Sequence, residues 1–331
     1  MIPVLRLGAR TSPLARAQVD LVAALLAERG VEATFIGVTT RGDVDRRHLT
    51  EIGGTGVFAG AVREALRHGE IDVAVHSLKD LPTADDPDLE VVAVPAREDT
   101  RDVLVGSSLD ALDGGVRIGT GAPRRALQLQ DWARRQGRRI EVVPVRGNVD
   151  TRLALVRSGT VDAVVLAAAG LRRLGYLSAE GHGRGTHVQG VLAEVLELET
   201  MLPAPGQGAL ALEVARTLDP ELAEHVRGLD DAVAHAEALV ERGFLARLEA
   251  GCTAPVGARA VVKSVRGTSH DLTLTAVIGR TLLSNLAAPA DSGPPLRLDV
   301  AGTSENPADF GALHADGVLA KLQSFTPPAL D

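Results

Sequence analysis

Three groups of residues in this sequence are of the right types and spacing to do chemistry. The first is the run His76-Ser77-Leu78-Lys79-Asp80-Leu81-Pro82, which follows the apolar stretch Ile71–Val75. A strand over 71–75 places Lys79 and Asp80 at its carboxyl edge, where α/β proteins gather reactive groups. An Asp beside a Lys stays ionised and can stabilise a cation or exchange a proton; the same pair also reads as a helix cap or a surface ion pair. The second group is a set of arginines: Arg10, Arg41, Arg124, Arg125, Arg146, Arg152, Arg172 and Arg173. All are expected in loops after strands or in first helical turns. Their rigid donor forks suit carboxylate or phosphate, and several at one cleft imply a polyanionic ligand. The third is Cys252, the single cysteine, in Glu249-Ala-Gly-Cys-Thr-Ala-Pro. A lone cysteine reads as a small buried hydrophobe; its Gly neighbour and loop setting also suit a thiol open to alkylation or covalent cofactor attachment.

The elements that must position these groups alternate between strand and helix. Val4–Leu7 is apolar enough for a strand. Ser12 and Pro13 then open a helix striped by Leu14, Val19, Val22, Leu25 and Leu26. A strand at Thr34–Val38, a Gly-rich loop at 53–56, a helix at Ala59–His68 and a strand at Ile71–Val75 follow, which predicts a mainly parallel sheet covered by helices. The pattern recurs. Arg6-Leu-Gly-Ala-Arg resembles Arg117-Ile-Gly-Thr-Gly, Thr39-Thr-Arg-Gly-Asp resembles Pro144-Val-Arg-Gly-Asn, and Gly69-Glu-Ile-Asp resembles Gly159-Thr-Val-Asp. Three matches in the same order predict two similar lobes flanking a cleft. LPAPGQGALAL at 202–212 is expected to return the chain to the first lobe. Residues 1–100 and 203–220 therefore form one domain, 101–202 a second, and 221–331 a smaller α/β third. In the last, Val233, Ala236, Val240, Phe244 and Leu248 mark one helix face, Val256–Val262 and Leu272–Ile278 are strands, and 291–307 is an exposed loop.

Composition excludes several functions. The chain has 331 residues, a net charge of −8, 2% aromatics and one Cys. An acidic balance disfavours nucleic-acid binding, and so few aromatics leave no stacking platform. One Cys forms no internal disulfide or Cys-based zinc cage, the histidines lack ligand spacing, and no metal is expected. His182 and His187, at a Gly-rich insertion over 180–190, are expected to be solvated. No phosphate-binding Gly-x-x-x-x-Gly-Lys sequence occurs. Arg6, Arg10 and Arg16 interrupt the first apolar stretch, so a signal peptide is not expected, nor is a membrane span; the expected location is the cytoplasm.

The segments LGARTSPLARAQ, TTRGD, IGGTGVF, DVAVHSLKDLPT, RED followed by RD, PVRGNVDTR, DAVVLAAAGLRRLG, LPAPGQGAL and LEAGCTAPVG resemble, in order from residue 5 to about 257, the porphobilinogen deaminases, also called hydroxymethylbilane synthases. The resemblance implies three α/β domains, the first two like the lobes of periplasmic binding proteins. It implies a transferase of porphyrin, tetrapyrrole and haem biosynthesis. Four porphobilinogen molecules are joined head to tail with loss of ammonia, and water releases 1-hydroxymethylbilane. It also implies a dipyrromethane cofactor held by a thioether, here to Cys252, with Asp80 as the catalytic carboxylate. Lys79, Thr120, Arg124, Arg125 and Arg146 are implied cofactor contacts, and Arg10, Ser12, Arg152 and Arg173 implied substrate contacts. Gln207 falls in the matching interdomain strand region. The implied partners are porphobilinogen and the growing polypyrrole, with no nucleic acid or membrane, and a monomer is expected. Each porphobilinogen carries two carboxylates, which the arginines suit, and loss of ammonia leaves an azafulvenium cation that a carboxylate stabilises. The chain departs from the common pattern at Glu51 and Thr55, where many members carry Lys, and at Gly121 and Ala122, where many carry Ser. The rival readings are a noncatalytic solute-binding or regulator effector protein on the same two lobes, and a degenerate paralogue.

Overall fold

The computed structural model describes residues 4–39, 59–178, 183–250, 254–283 and 293–323. Arg41, the loop bearing Glu51 and Thr55, His182 and Cys252 lie outside the described residues. In chain order the elements are β1 (Leu5–Arg10), α1 (Pro13–Ala27), β2 (Ala33–Val38), α2 (Gly60–Arg67), β3 (Val73–Ser77), a 3₁₀ turn (Leu78–Asp80), β4 (Leu89–Ala93), β5 (Asp102–Val105), β6 (Val116–Gly119), α3 (Pro123–Gln136) and β7 (Ile140–Val143). There follow α4 (Val149–Arg157), β8 (Ala163–Ala167), α5 (Ala168–Arg173), β9 (Arg184–Val188), β10 (Val191–Val195), β11 (Leu210–Ala215), α6 (Pro220–Arg227), α7 (Ala232–Arg247), β12 (Val256–Arg266), β13 (Ser269–Ile278), β14 (Leu296–Ser304) and α8 (Pro307–Gln323). The fold is mixed α/β, with two sheet-rich lobes and a smaller C-terminal sheet. Among the described residues no helix is long and apolar enough to cross a membrane.

One compact unit comprises Met1–Thr100, Ala169–Tyr176 and Gly206–His235. Its sheet has the order β2-β1-β3-β11-β4. β1 pairs in parallel with β2 and β3, whereas β11 runs antiparallel between β3 and β4. Leu5, Leu7 and Ala9 of β1 bury one face against Val19, Val22 and Leu26 of α1; each fully buried aliphatic side chain contributes about 1.5–3 kcal/mol. Ser12 caps α1 by accepting from the Ala15 amide at 3.3 Å, with Pro13 in the first turn.

The other unit comprises Arg101–Ala168, Leu177–Pro205 and Ala236–Asp331. Its larger sheet has the order β7-β6-β8-β5-β10-β9. The Gly-rich insertion supplies β9, which pairs with β10 at the sheet's edge, and His187 on it is exposed. Ile118, Leu129, Trp132 and Val165 lie in its core. The smaller sheet, β12-β13-β14, buries Leu274 and Ala276 against Val240 and Phe244 of α7 and Phe310 of α8. The two helices approach very closely. A Cβ added at Gly311 would lie 2.0 Å from the Val240 carbonyl oxygen, and one at Gly243 2.2 Å from that of Ala308.

The internal repeat is physical. Leu7 and Gly8 of β1 pair with Val73 and Ala74 of β3; Ile118 and Gly119 of β6 pair with Ala163 and Val164 of β8. Each sheet is tied at the same place by one ion pair. Asp72 accepts from the backbone N–H, Nε and Nη2 of Arg6, and Asp162 from the same three groups of Arg117.

Four readings of the sequence need correction. The two larger sheets are mixed rather than mainly parallel, because β11 in one and β5 and β10 in the other pair antiparallel with their neighbours. The expected loop over 291–307 is, from Leu296 to Ser304, a strand paired in full register with β13. Its alternation of Leu296, Leu298 and Val300 was masked by the Pro, Gly and Asp around it. Val233 does not share the buried face of α7; it is 45% exposed, while Ala236, Val240, Phe244 and Leu248 are buried. Arg172 and Arg173 end the short helix α5 rather than opening one.

Candidate active site

β3 delivers its C-terminal residues to the 3₁₀ turn Leu78–Asp80. Leu78 is buried and anchors the turn, and Asp80 is exposed. Arg10 at the end of β1, Ser12 and Asp80 line one cavity of about 80 Å³ with Gln18, His76 and Ser77. Ser12 uses its hydroxyl oxygen as the acceptor of its cap bond from the Ala15 amide. Lys79 points to the fully buried Gln207, with Nζ donating to Oε1 at 3.3 Å. Gln207 is itself fixed, donating Nε2–H to the Thr100 carbonyl while its own carbonyl accepts from Arg97. Arg173 belongs to this unit. Its Nη2 donates to the Gly208 carbonyl at 2.6 Å, and its Nε is buried with no hydrogen-bond partner among the described residues. Burial pulls its guanidinium down to about 10, offset in part by Glu98.

The remaining implied residues lie in the other unit. Arg124 and Arg125 in the first turn of α3 are 4% and 5% exposed. Asp102, fully buried on β5, lies between them, accepting from Arg124 Nη1 at 2.6 Å and Arg125 Nη2 at 2.8 Å. Arg124 Nη1 also donates to the Leu202 carbonyl, and Arg125 Nη1 to that of Val165. Burial alone would raise the Asp102 carboxyl; the charges and hydrogen bonds of the two arginines instead hold it far below the ordinary carboxylate range. The three side chains sum to one positive charge, and Arg125 Nε is buried without a partner among the described residues. The arginines were legible from sequence as candidate binders; Asp102 entered only within the RD segment of the resemblance, and its place between the arginines was not legible because it comes from another strand.

Thr120 is buried, and its Oγ1 accepts from the Ala122 amide at 3.2 Å. It thereby does part of the capping that Ala122, which has no side-chain bond, leaves undone. The Val145 amide donates to the Thr120 carbonyl, which brings the Arg146 loop beside the start of α3. Gly121 is required there, since a Cβ would lie 2.6 Å from the Val145 oxygen. A serine at 121 therefore needs a backbone shift in this chain. Arg152, one turn into α4, donates Nε–H to the Gly147 carbonyl at 3.0 Å, on the loop that carries Arg146.

Comparison with known proteins matches residues 5–224 to the family model described as porphobilinogen deaminase, dipyromethane cofactor binding domain, and residues 235–282 to that described as porphobilinogen deaminase, C-terminal domain. The chain belongs to the porphobilinogen deaminase family. Its relatives include porphobilinogen deaminase 1 of Streptomyces coelicolor, 48% identical over 88% of each chain. The porphobilinogen deaminase of Acidothermus cellulolyticus is 41% identical over 96% of this chain and 90% of the relative. A periplasmic substrate-binding protein of an ABC transporter from Coxiella burnetii superposes with a TM-score of 0.41 at 15% identity, over 72% of this chain and 97% of that one.

Within the porphobilinogen deaminase family the first domain is named for its dipyrromethane cofactor. Such a group, built from two porphobilinogen units, bears several carboxylates. The buried Nε–H of Arg125 in one unit and, separately, that of Arg173 in the other lack partners among the described residues and are donors of the kind a carboxylate takes up. On that chemistry the residues present fit the group.

Proposed function

We propose that this chain is a porphobilinogen deaminase, a transferase that joins four porphobilinogen molecules head to tail, loses one ammonia at each addition and releases 1-hydroxymethylbilane by hydrolysis. The observation that carries this reading is the placement of Asp80 beside Arg10 and Ser12 in one cavity, at the end of the strand that the family motif occupies. The cavity offers an anion for the positive charge that develops on a pyrrole as ammonia leaves, and a cation for its acetate or propionate. Such preorganised charge accounts for about 10²–10³ in rate per group.

In this reading Asp80 is the catalytic carboxylate. It stabilises the cationic substrate and takes the proton lost when the ring regains aromaticity. Arg10, Ser12, Arg152 and Arg173 bind substrate carboxylates. Cys252 holds dipyrromethane through a thioether, which resists cytosolic thiols as a disulfide does not. Lys79, Thr120, Arg124, Arg125 and Arg146 hold that group's polar edges. When bound, dipyrromethane supplies the nucleophilic pyrrole carbon to which the first substrate is added. Asp102 orients Arg124 and Arg125 so that their surplus positive charge remains for a ligand.

The chain divides, in this reading, into a first domain of 1–100 and 203–220, a second of 101–202 and a third of 221–331. It acts as a cytoplasmic monomer with no nucleic-acid or membrane partner. The decisive experiment is intact mass together with turnover. Purified protein is expected to carry the added mass of two pyrrole units and to consume porphobilinogen. An unmodified mass with no consumption would return the chain to a solute-binding protein or an inactive paralogue.

A further inference from the structure

One part of the His76–Pro82 motif has no role in the scheme above. In the antiparallel pairing of β3 with β11, Ala211 stands opposite His76 and Glu213 opposite Ala74. Opposed residues share a face, and side chains return to it every second residue. His76, Ala74, Ala211 and Glu213 therefore occupy one side of the sheet. Two of the four are alanines, which leaves room for an imidazole and a carboxylate to meet. His76 Nε2 lies 3.1 Å from Glu213 Oε2, with both side chains almost fully buried.

Arg63 of α2 grips the same carboxylate, Nε at 3.1 Å from both oxygens and Nη2 at 2.7 Å from Oε1. Asp86 lies 3.9 Å beyond, on Arg63 Nη1. Burial pushes the Glu213 carboxyl up, but the hydrogen bonds from His76 and Arg63 and the Arg63 charge hold it below its ordinary value. An ionised carboxylate can only accept, so the proton in the contact sits on His76 Nε2. In a neutral ring Nδ1 is then an acceptor. Nδ1 makes no hydrogen bond to a described residue, and His76 lines the cavity of Arg10, Ser12 and Asp80. Among the side chains lining that cavity, Arg10 is a cation and Asp80 an anion. With its proton on Nε2, His76 adds a ring-nitrogen acceptor in a fixed direction to the neutral polar groups Ser12, Gln18 and Ser77.

We propose that His76 is a substrate-binding residue whose Nδ1 accepts a hydrogen bond from an N–H of the incoming porphobilinogen, and that Glu213 and Arg63 are positioning residues that fix its tautomer. This rests on the functional reading above. The donor is either the aminomethyl ammonium or the pyrrole N–H, and an analogue with methyl in place of aminomethyl separates the two.

The test is ¹⁵N NMR of the full-length, histidine-labelled holoenzyme, with His76 assigned by its loss in His76→Phe. The free protein is expected to show His76 as the Nε2–H tautomer. Addition of substrate or analogue should move the Nδ1 resonance and leave Nε2 in place. A response to porphobilinogen alone identifies the ammonium; a response to both identifies the pyrrole N–H. His76→Phe is expected to raise KM about tenfold, the scale of one lost hydrogen bond, with kcat within about threefold. His76→Asn, which returns an acceptor near Nδ1, should recover most of that loss. An Nδ1–H tautomer, or an Nδ1 unmoved by either ligand while the wild type consumes porphobilinogen, overturns this inference alone. Failure of the wild type to consume porphobilinogen overturns the functional reading itself.

Discussion

Asp80 and Asp102 are both carboxylates near arginines, yet their settings demand opposite outcomes from the same substitution. Asp80 is exposed on a 3₁₀ turn and supports little packing. Asp80→Asn is expected to leave the fold and the adduct mass intact and to lower turnover by about 10²–10³, the loss of one charge from the cation's surroundings; single-turnover consumption of porphobilinogen measures it. Asp102 is fully buried between two guanidinium groups. Asp102→Asn strands those charges and is expected to cost about 3–5 kcal/mol in urea unfolding. The pH dependence follows from the same geometry. The folded-state Asp102 carboxyl lies far below its unfolded value of about 4. Its contribution is thus complete above that value and is lost as pH falls below it. Unfolding free energy should fall more steeply between about pH 4 and 2 in the wild type than in Asp102→Asn. Cys252→Ser should fold and carry no pyrrole adduct, since a hydroxyl is a far weaker nucleophile at neutral pH; intact mass is the readout. The sequence pointed to Asp80 because the strand before it fixes its position locally. It was silent on Asp102, Glu213 and Arg63 as partners, because each contact joins elements far apart in the chain.

At the scale of elements, local signals succeeded where they were strong. Ser12-Pro13 opened α1, and the apolar stripe behind it became the buried face. The strand Leu296–Ser304 was missed because one face of it is mostly exposed and leaves only a weak alternation. The helix Pro307–Gln323 was not foreseen either, and no local signal shows that Gly243 and Gly311 bring two backbones together. That crossing gives a test at its own scale. Gly311→Ala places a methyl group 2.0 Å from a backbone oxygen, with Phe244 N at 2.8 Å, so the helices must part. Overpacking of this kind costs about 1–3 kcal/mol. A lowered urea midpoint, with activity retained below the transition, is the expected outcome. Unchanged stability would mean that α8 slides to accommodate the methyl.

For the whole molecule, the repeated sheet order and the two Arg–Asp ties make the lobes variations on one plan, and the repeat in the sequence was sufficient to foresee this. The plan was then used unequally: the Asp80 cavity is built in one unit, and the Asp102-centred arginines in the other. A polycarboxylate that grows stepwise should meet such groups at different lengths. Limited porphobilinogen given to Arg10→Leu and Arg173→Leu is expected to give mass ladders that stall at different numbers of added pyrroles, whereas Arg146→Leu should impair cofactor assembly or the first addition. Wild-type ladders and rates in all three variants would remove the polycarboxylate role of these arginines.

The position of β11 also governs how the protein comes into being. It sits between β3 and β4, yet it is made only after every strand of the second large sheet has been translated. While the nascent chain ends before Leu210, β3 and β4 have an open edge where β11 belongs, and Glu213 is not yet there to meet His76 and Arg63. Domains otherwise tend to fold in order from the ribosome, and open strand edges invite wrong pairing. Stalled chains ending near residue 205 should therefore remain protease-sensitive throughout residues 1–100, and chains long enough to expose Ala215 should become resistant. Residues 1–100 precede the second large sheet in the chain, yet their own sheet is completed only after it.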